Sequence, residues 1–143
     1  MQILVLGSGE MVRNFLDFPD GLNCFYEEDG RYFDLVAAMP GAEKRVTGLR
    51  CGTLLLWEEQ AGALLPCMTA EQVVSCGFSQ QCTLTPASTQ PGGAVMTIQR
   101  ALQRLDGTDI LPQDIPLPVE WGALPLPQQM TLMGMMLLLG MLP

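Results

Sequence analysis

The chain has 143 residues, 48% of them apolar and 15% charged, a composition that rules out a disordered polymer and suits one globular domain with its own core. Fifteen acids against seven bases leave a net charge of −8 with no basic stripe, which argues against a nucleic-acid backbone or an anionic membrane surface as partner. Histidine is absent, so Ser-His-Asp and Cys-His catalysis and histidine-based metal sites are excluded together.

Taken in order, Ile3-Leu4-Val5-Leu6 predicts a buried first strand and Gly7-Ser8-Gly9 the turn after it. A helix from about Glu10 should carry Met11, Phe15, Leu16 and Phe18 inward until Pro19-Asp20-Gly21 ends it. Asn23 to Tyr26 reads as a second strand closed by Glu27-Glu28-Asp29-Gly30, Tyr32 to Met39 as a short helix stopped by Pro40-Gly41, and Lys44 to Leu49 as a third strand. Thr53-Leu54-Leu55-Leu56-Trp57 is a continuous apolar run, the pattern of a strand buried on both faces, and Glu58-Glu59 stops it. A helical segment over 61–68, interrupted at Pro66, leads to a strand within Glu71–Phe78. Cys82 to Ala87 is a further strand, Ser88–Gly93 a loop, and Ala94–Leu105 a strand turned at Asp106-Gly107 into Ile110–Val119. Pro112, Pro116 and Pro118 place that returning strand at a sheet edge. Trp121–Pro127 reads as a linker. Met130–Leu142 is a helix apolar on every side, shorter than the roughly twenty residues a bilayer requires and therefore a core helix.

Strands alternating with short helices predict an α/β fold: a mainly parallel, Rossmann-like sheet with an added antiparallel hairpin and an apolar C-terminal helix. A single domain over 1–143 is expected, divided into a Rossmann-like βαβ half (1–52) and a second half (53–143). The opening MQILVLGSGE has no basic segment and too short an apolar run for a signal peptide, so a cytoplasmic location is expected. Five cysteines, odd in number and with no C-x-x-C pair, fit free thiols that pack as small hydrophobes.

The chemistry-bearing features are few. Gly7-Ser8-Gly9 between a strand and a helix is half of a dinucleotide fingerprint, and Glu27 stands twenty residues after Gly7, where such folds place a ribose-binding acid. Against this, Val12 takes the third glycine position and Glu10 sets a carboxylate where phosphate would lie; the alternative is a plain turn whose Glu10 complements the helix dipole. No Gly-Lys-Ser or Gly-Lys-Thr occurs, which excludes P-loop phosphoryl transfer. Glu58 and Glu59, with Glu27-Glu28-Asp29, offer oxygen ligands for a divalent cation, although solvated turn residues are the plainer account and no metal site is expected. At the C-terminal helix, Met133, Met136 and Leu137 are the expected contacts of a partner surface, through which a homodimer would form.

From Thr53 onward the order of features resembles the later part of the central domain of the Mur ligases, the ATP-dependent amide-forming enzymes of peptidoglycan synthesis. There, too, a buried strand ends in acids, and a short helix leads to a strand like Val73-Val74-Ser75-Cys76-Gly77-Phe78. A small strand like Thr83-Leu84-Thr85 and a hairpin like Ala94–Val119 follow, and an apolar helix closes as Leu138-Leu139-Gly140-Met141 does here. Glu58 and Glu59 fall roughly where the family's acidic pair approaches the nucleotide, without the asparagine that accompanies that pair. The family's Gly-rich ATP loop and its magnesium-site histidine are missing. The resemblance therefore implies a reduced bacterial relative that keeps the sheet and has lost ATPase and ligase chemistry.

Two functions follow as expectations. One is a non-catalytic cytoplasmic binding or assembly domain without a cofactor, its small-molecule ligand, if it has one, unidentified. The alternative is a small enzyme using a nucleotide or dinucleotide at Gly7-Ser8-Gly9 with Glu27.

Overall fold

The structure, a computed structural model, describes residues 1–7, 9–26, 30–40, 48–90 and 93–141, apart from the side chains of 88–90 and 93. Short apolar runs punctuated by glycine, proline and acids form β1 (Gln2–Leu6), β2 (Asn23–Phe25), β3 (Phe33–Ala38), β4 (Leu49–Trp57), β5 (Met68–Cys76), β6 (Leu84–Gln90) and β7 (Gly93–Ile98). The short strands β8 (Leu102–Gln103), β9 (Asp109–Ile110) and β10 (Asp114–Pro116) follow them. The helices are α1 (Gly9–Phe15), α2 (Ala61–Leu64, with a 3-10 turn on either side) and α3 (Leu126–Leu139).

Eight strands make one sheet in the order β2-β1-β3-β4-β5-β6-β7-β10, parallel from β2 to β6 and antiparallel from β6 to β10, while β8 and β9 pair as a separate antiparallel ribbon. The fold is thus α/β with a mostly parallel sheet, an added hairpin and a C-terminal helix. The β4–α2–β5 unit forms as its sequence predicts, with Leu54 beside Val73 and Trp57 beside Cys76. Because β1, β3 and β4 are covered on both faces, their residues divide between two cores. Ile3, Val5, Leu35, Ala37 and Leu55 pack with α1 and α3, whereas Leu4, Leu6, Val36, Leu54 and Leu56 pack with Leu64 of α2.

Several expectations are corrected. Residues 33–38 form strand β3, not a helix: Leu35 and Ala37 enter one core and Val36 and Ala38 the other, and a strand buried on both faces is apolar all round, as a buried helix is. Of the loop expected over 88–93, Ser88, Thr89 and Gln90 instead extend β6 and pair with Val95, Ala94 and Gly93 of β7, while residues 91 and 92 lie outside the described residues. The strand expected over 94–105 stops at Ile98, and Leu102–Gln103 belongs to the separate ribbon. Phe15 is 38% exposed, and Val12 takes the inward place in α1. Trp121 is not in a linker: it ends the 3-10 turn Val119–Trp121 and is buried against the core. Of the third strand expected over 44–49, residues 44–47 lie outside the described residues, and Leu49 opens β4.

Helix α3 begins at Leu126 rather than Met130 and is buried nearly all round. Its backbone lies close to the sheet at Gly134, where an added Cβ would stand 3.1 Å from both Leu55 methyls and 3.2 Å from Leu84 Cδ1. Leu102, Ile110, Leu117 and Trp121 join the same core, so the chain between β7 and α3 supplies the cover that one sheet face lacks. The ribbon is tied to the helix end by Leu105 N–H donating to Leu138 O at 2.9 Å. The helix closes with Gly140 at φ 69°, Gly140 N–H on Leu137 O and Met141 N–H on Met136 O, the paired bonds of a left-handed glycine cap. No helix among the described residues is long and apolar enough to cross a membrane.

Candidate functional site

Strands β2 and β3 flank β1, so the strand order reverses between β1 and β3, and an open α/β sheet leaves its usual ligand crevice at the carboxyl ends there. Among the described residues, the chain's own groups occupy part of that crevice. Gly7 takes φ 99° and accepts the Gly9 N–H at 2.8 Å, which engages an amide that a phosphate would need. Gly9 is buried against the Tyr26 ring with no room for a Cβ, and the Arg13 guanidinium lies 4.4 Å over that ring. Burial, with the Cys24 thiol second, pushes the Tyr26 phenol up to about 12. Ser8 and Glu27 lie outside the described residues.

From β4, Gln60 reaches across the same end. Its Oε1 accepts the Trp57 N–H at 3.1 Å and its Nε2 donates to Met39 O at 2.7 Å, which links the end of β4 to that of β3. Glu58 turns the other way. Its Oε1 accepts the Phe78 N–H at 3.3 Å, and its Oε2 accepts the Ser79 N–H at 3.4 Å and the Cys82 thiol at 3.2 Å. The Cys82 thiol and then these amides hold the Glu58 carboxyl below the usual glutamate range. Its side chain lies flat on Gly77, which has no Cβ to displace it. Glu59 points to solvent, so the structure separates the acidic pair. Glu58 is a cap on the turn after β5. Among the described residues no three His, Cys, Asp or Glu side chains are placed to hold a metal ion.

An open concavity lies at the opposite edge. Ile115, Leu117 and Val119 face Met133 and Met136 of α3 across an apolar groove of about 590 Å³. Of the helix residues expected at a partner surface, Met136 is partly exposed at this groove, whereas Met133, at its floor, and Leu137 are both buried in the core. Val119 is 71% exposed at the rim and Leu111 66% exposed nearby. The backbone beside the groove is an edge that cannot template another strand. Gln113 O accepts the Ile98 N–H and Leu117 N–H donates to Ala94 O, so odd positions pair with β7 and even positions face outward. Pro112, Pro116 and Pro118 are all even and offer no N–H. The proline spacing was legible in the sequence; that Ile115, Leu117 and Val119 between those prolines would meet the methionines was not.

Comparison with known protein families, curated proteins and solved structures finds no match for this chain.

Proposed function

We propose that this chain is a non-catalytic binding or assembly domain whose working surface is the apolar groove between α3 and the segment Gln113–Val119. One contrast carries the reading: among the described residues, Tyr26 and Gln60 occupy the crevice where an α/β sheet binds small ligands, while an apolar groove stands open at the far edge. The occupant is a second copy of the chain. The groove and its exposed neighbours Val119 and Leu111 lie along one edge, and a two-fold interface requires a projection and a recess on the same surface. The prolines confine the contact to side chains. A reduced Mur-ligase-like relative working in the cytoplasm agrees with the β4–α2–β5–β6 order, the closing apolar helix and five free thiols.

Sedimentation equilibrium over a range of concentrations tests this. The native chain should move from monomer toward dimer. Val119→Asp should stay monomeric with an unchanged melting temperature, because Val119 leaves the folded core untouched. A native chain that remains monomeric at the highest soluble concentration refutes the assembly reading.

A further inference from the structure

Strand β5 is fully paired on one side only. On that side β4 runs beside it from Met68 to Cys76, whereas β6 meets it at the single position Cys76–Leu84 and then continues past its end. The last bonds on the β6 side are Gly77 N–H on Leu84 O at 3.1 Å and Thr83 N–H on Ser75 Oγ at 3.2 Å. Before them, among the described residues, no main-chain hydrogen bond reaches the outer side of Met68–Val74. The β8–β9 ribbon comes near without filling this side, because Gln72 holds it by its side chain. Nε2 donates to Thr53 Oγ1 and Gln103 O, and Oε1 accepts the Gln103 N–H. Thr53 is the β4 neighbour of Gln72, so that side chain leans over the sheet face toward β4, away from the open side. The open segment reads MTAEQVV, with no proline and one charge, and Thr69, Glu71 and Val73 are exposed. The two outermost edges of the sheet are guarded: β2 is only three residues long, and β10 carries proline at outward positions. Along Met68–Val74, about 23 Å of strand, β5 has neither guard.

We propose that this open edge binds an extended, basic, proline-free segment of a partner protein as an added strand in line with β6. A row of main-chain N–H and C=O groups on a strand edge is matched by another main chain, which makes the occupant a peptide in strand form. Charge sets its kind. Glu71 is the one charged side chain of the edge and lies at its middle, and the whole chain carries −8, so lysine or arginine is favoured across from it. A second copy is disfavoured on the same ground. Antiparallel pairing of two β5 edges over most of this length would set the two Glu71 carboxylates opposite or diagonal to each other. This site does not depend on the edge groove.

Two measurements on the full chain test this. In the chain alone, amide hydrogen exchange should find alternate amides of Met68–Val74 exchanging fast, while those bonded to β4 are protected. The end-capped peptide Thr-Val-Lys-Val-Lys-Val-Thr should then bind saturably in a ¹H–¹⁵N titration and slow the fast amides. The same peptide N-methylated at its five central residues keeps its side chains, loses the main-chain donors of both its edges and should not bind. Glu71→Lys, at an exposed position, should weaken the lysine peptide about fivefold, the scale of a cross-strand charge pair turned from attraction to repulsion, and should favour the peptide with glutamate in place of lysine. Val119→Asp should leave the binding unchanged. Uniform protection of Met68–Val74 in the free chain, equal binding of the methylated peptide, or an unchanged preference in Glu71→Lys would each overturn the proposal. Protection of this edge that grows with protein concentration alone would assign it to a second copy, and would overturn it too.

Discussion

A single carboxylate shows how this chain uses its polar groups. Glu58 follows a buried strand and precedes a helix, the place where an enzyme would set a catalytic acid, yet it is engaged by Phe78, Ser79 and Cys82. Gly77→Ala would put a Cβ into the Glu58 side chain, so the variant should lose those largely exposed bonds and about 0.5–1.5 kcal/mol in a urea melt. Glu58→Gln, which keeps the shape and removes the charge, should lose less. The pH dependence has a definite sign on both sides. The Glu58 carboxyl is held below its ordinary value, so its contribution is present above the unfolded glutamate range and fades as pH falls through the lower folded value. On the alkaline side burial raises Cys51 from 9.0 to about 11 and Tyr26 from 10.0 to about 12. Folded groups that keep their protons longer than unfolded ones stabilise the chain below the unfolded pKa, and that contribution is lost as pH rises through the folded one. Urea midpoints should therefore decline from pH 9 to 12, and Tyr26→Phe should flatten the upper part of that decline.

At the scale of the element, α3 joins the halves of the larger core. A helix without a polar face has low stability of its own and depends on tertiary cover, which the sheet supplies on one side and the Leu102–Trp121 segment on the other. Leu138 is 1% exposed, and Leu138→Ala should cost about 2–5 kcal/mol, read as a lower denaturant midpoint at constant slope. Gly134→Ala sets two effects against each other. Alanine favours the helix by about 1 kcal/mol, but the new methyl meets Leu55 and Leu84 at 3.1–3.2 Å, and overpacking a closed core costs about 1–3 kcal/mol. Both leucines are fully buried and have nowhere to withdraw, so the variant should be less stable than the native chain. A more stable Gly134→Ala would show that the helix can lift off the sheet.

For the whole molecule, size and charge set what association can do. The accessible surface of 7452 Å² is close to the roughly 7,200 Å² that a 15.6 kDa monomer should expose, so one copy already closes its core. The dimer should therefore be weak and separable from folding, in contrast to an obligate pair. Two copies at −8 repel, and salt screens that repulsion, so the association measured at 0.5 M sodium chloride should exceed that at about 0.05 M. NAD, FAD and ATP should leave the melting temperature flat at millimolar concentration, because the Gly9 amide is engaged and Tyr26 lies on the turn. A rise of several degrees with any of them would restore the dinucleotide reading.

How much of this was legible before folding depends on whether the cause is local. The strand at Ile3–Leu6, the β4–α2–β5 unit, the turn at Asp106-Gly107 and the edge position marked by three prolines were all readable, because apolar runs, glycine conformations and missing N–H groups act within a few residues. The state of residues 33–38 was not, since burial on both faces erases the periodicity that separates strand from helix, and only neighbours β1 and β4 decide it. The same holds for the sites. Acids and glycines could be located along the chain, but whether a carboxylate serves a ligand or caps a turn depends on backbone amides brought to it from about twenty residues away, as Phe78 and Ser79 are brought to Glu58. Composition alone excluded histidine chemistry, and the absence of a Gly-Lys-Ser or Gly-Lys-Thr motif excluded the P-loop. Where the described side chains occupy the crevice and where they leave a groove open was decided by tertiary contacts, because side-chain packing across β1, β3, β4 and α3 joins residues that no sequence window contains.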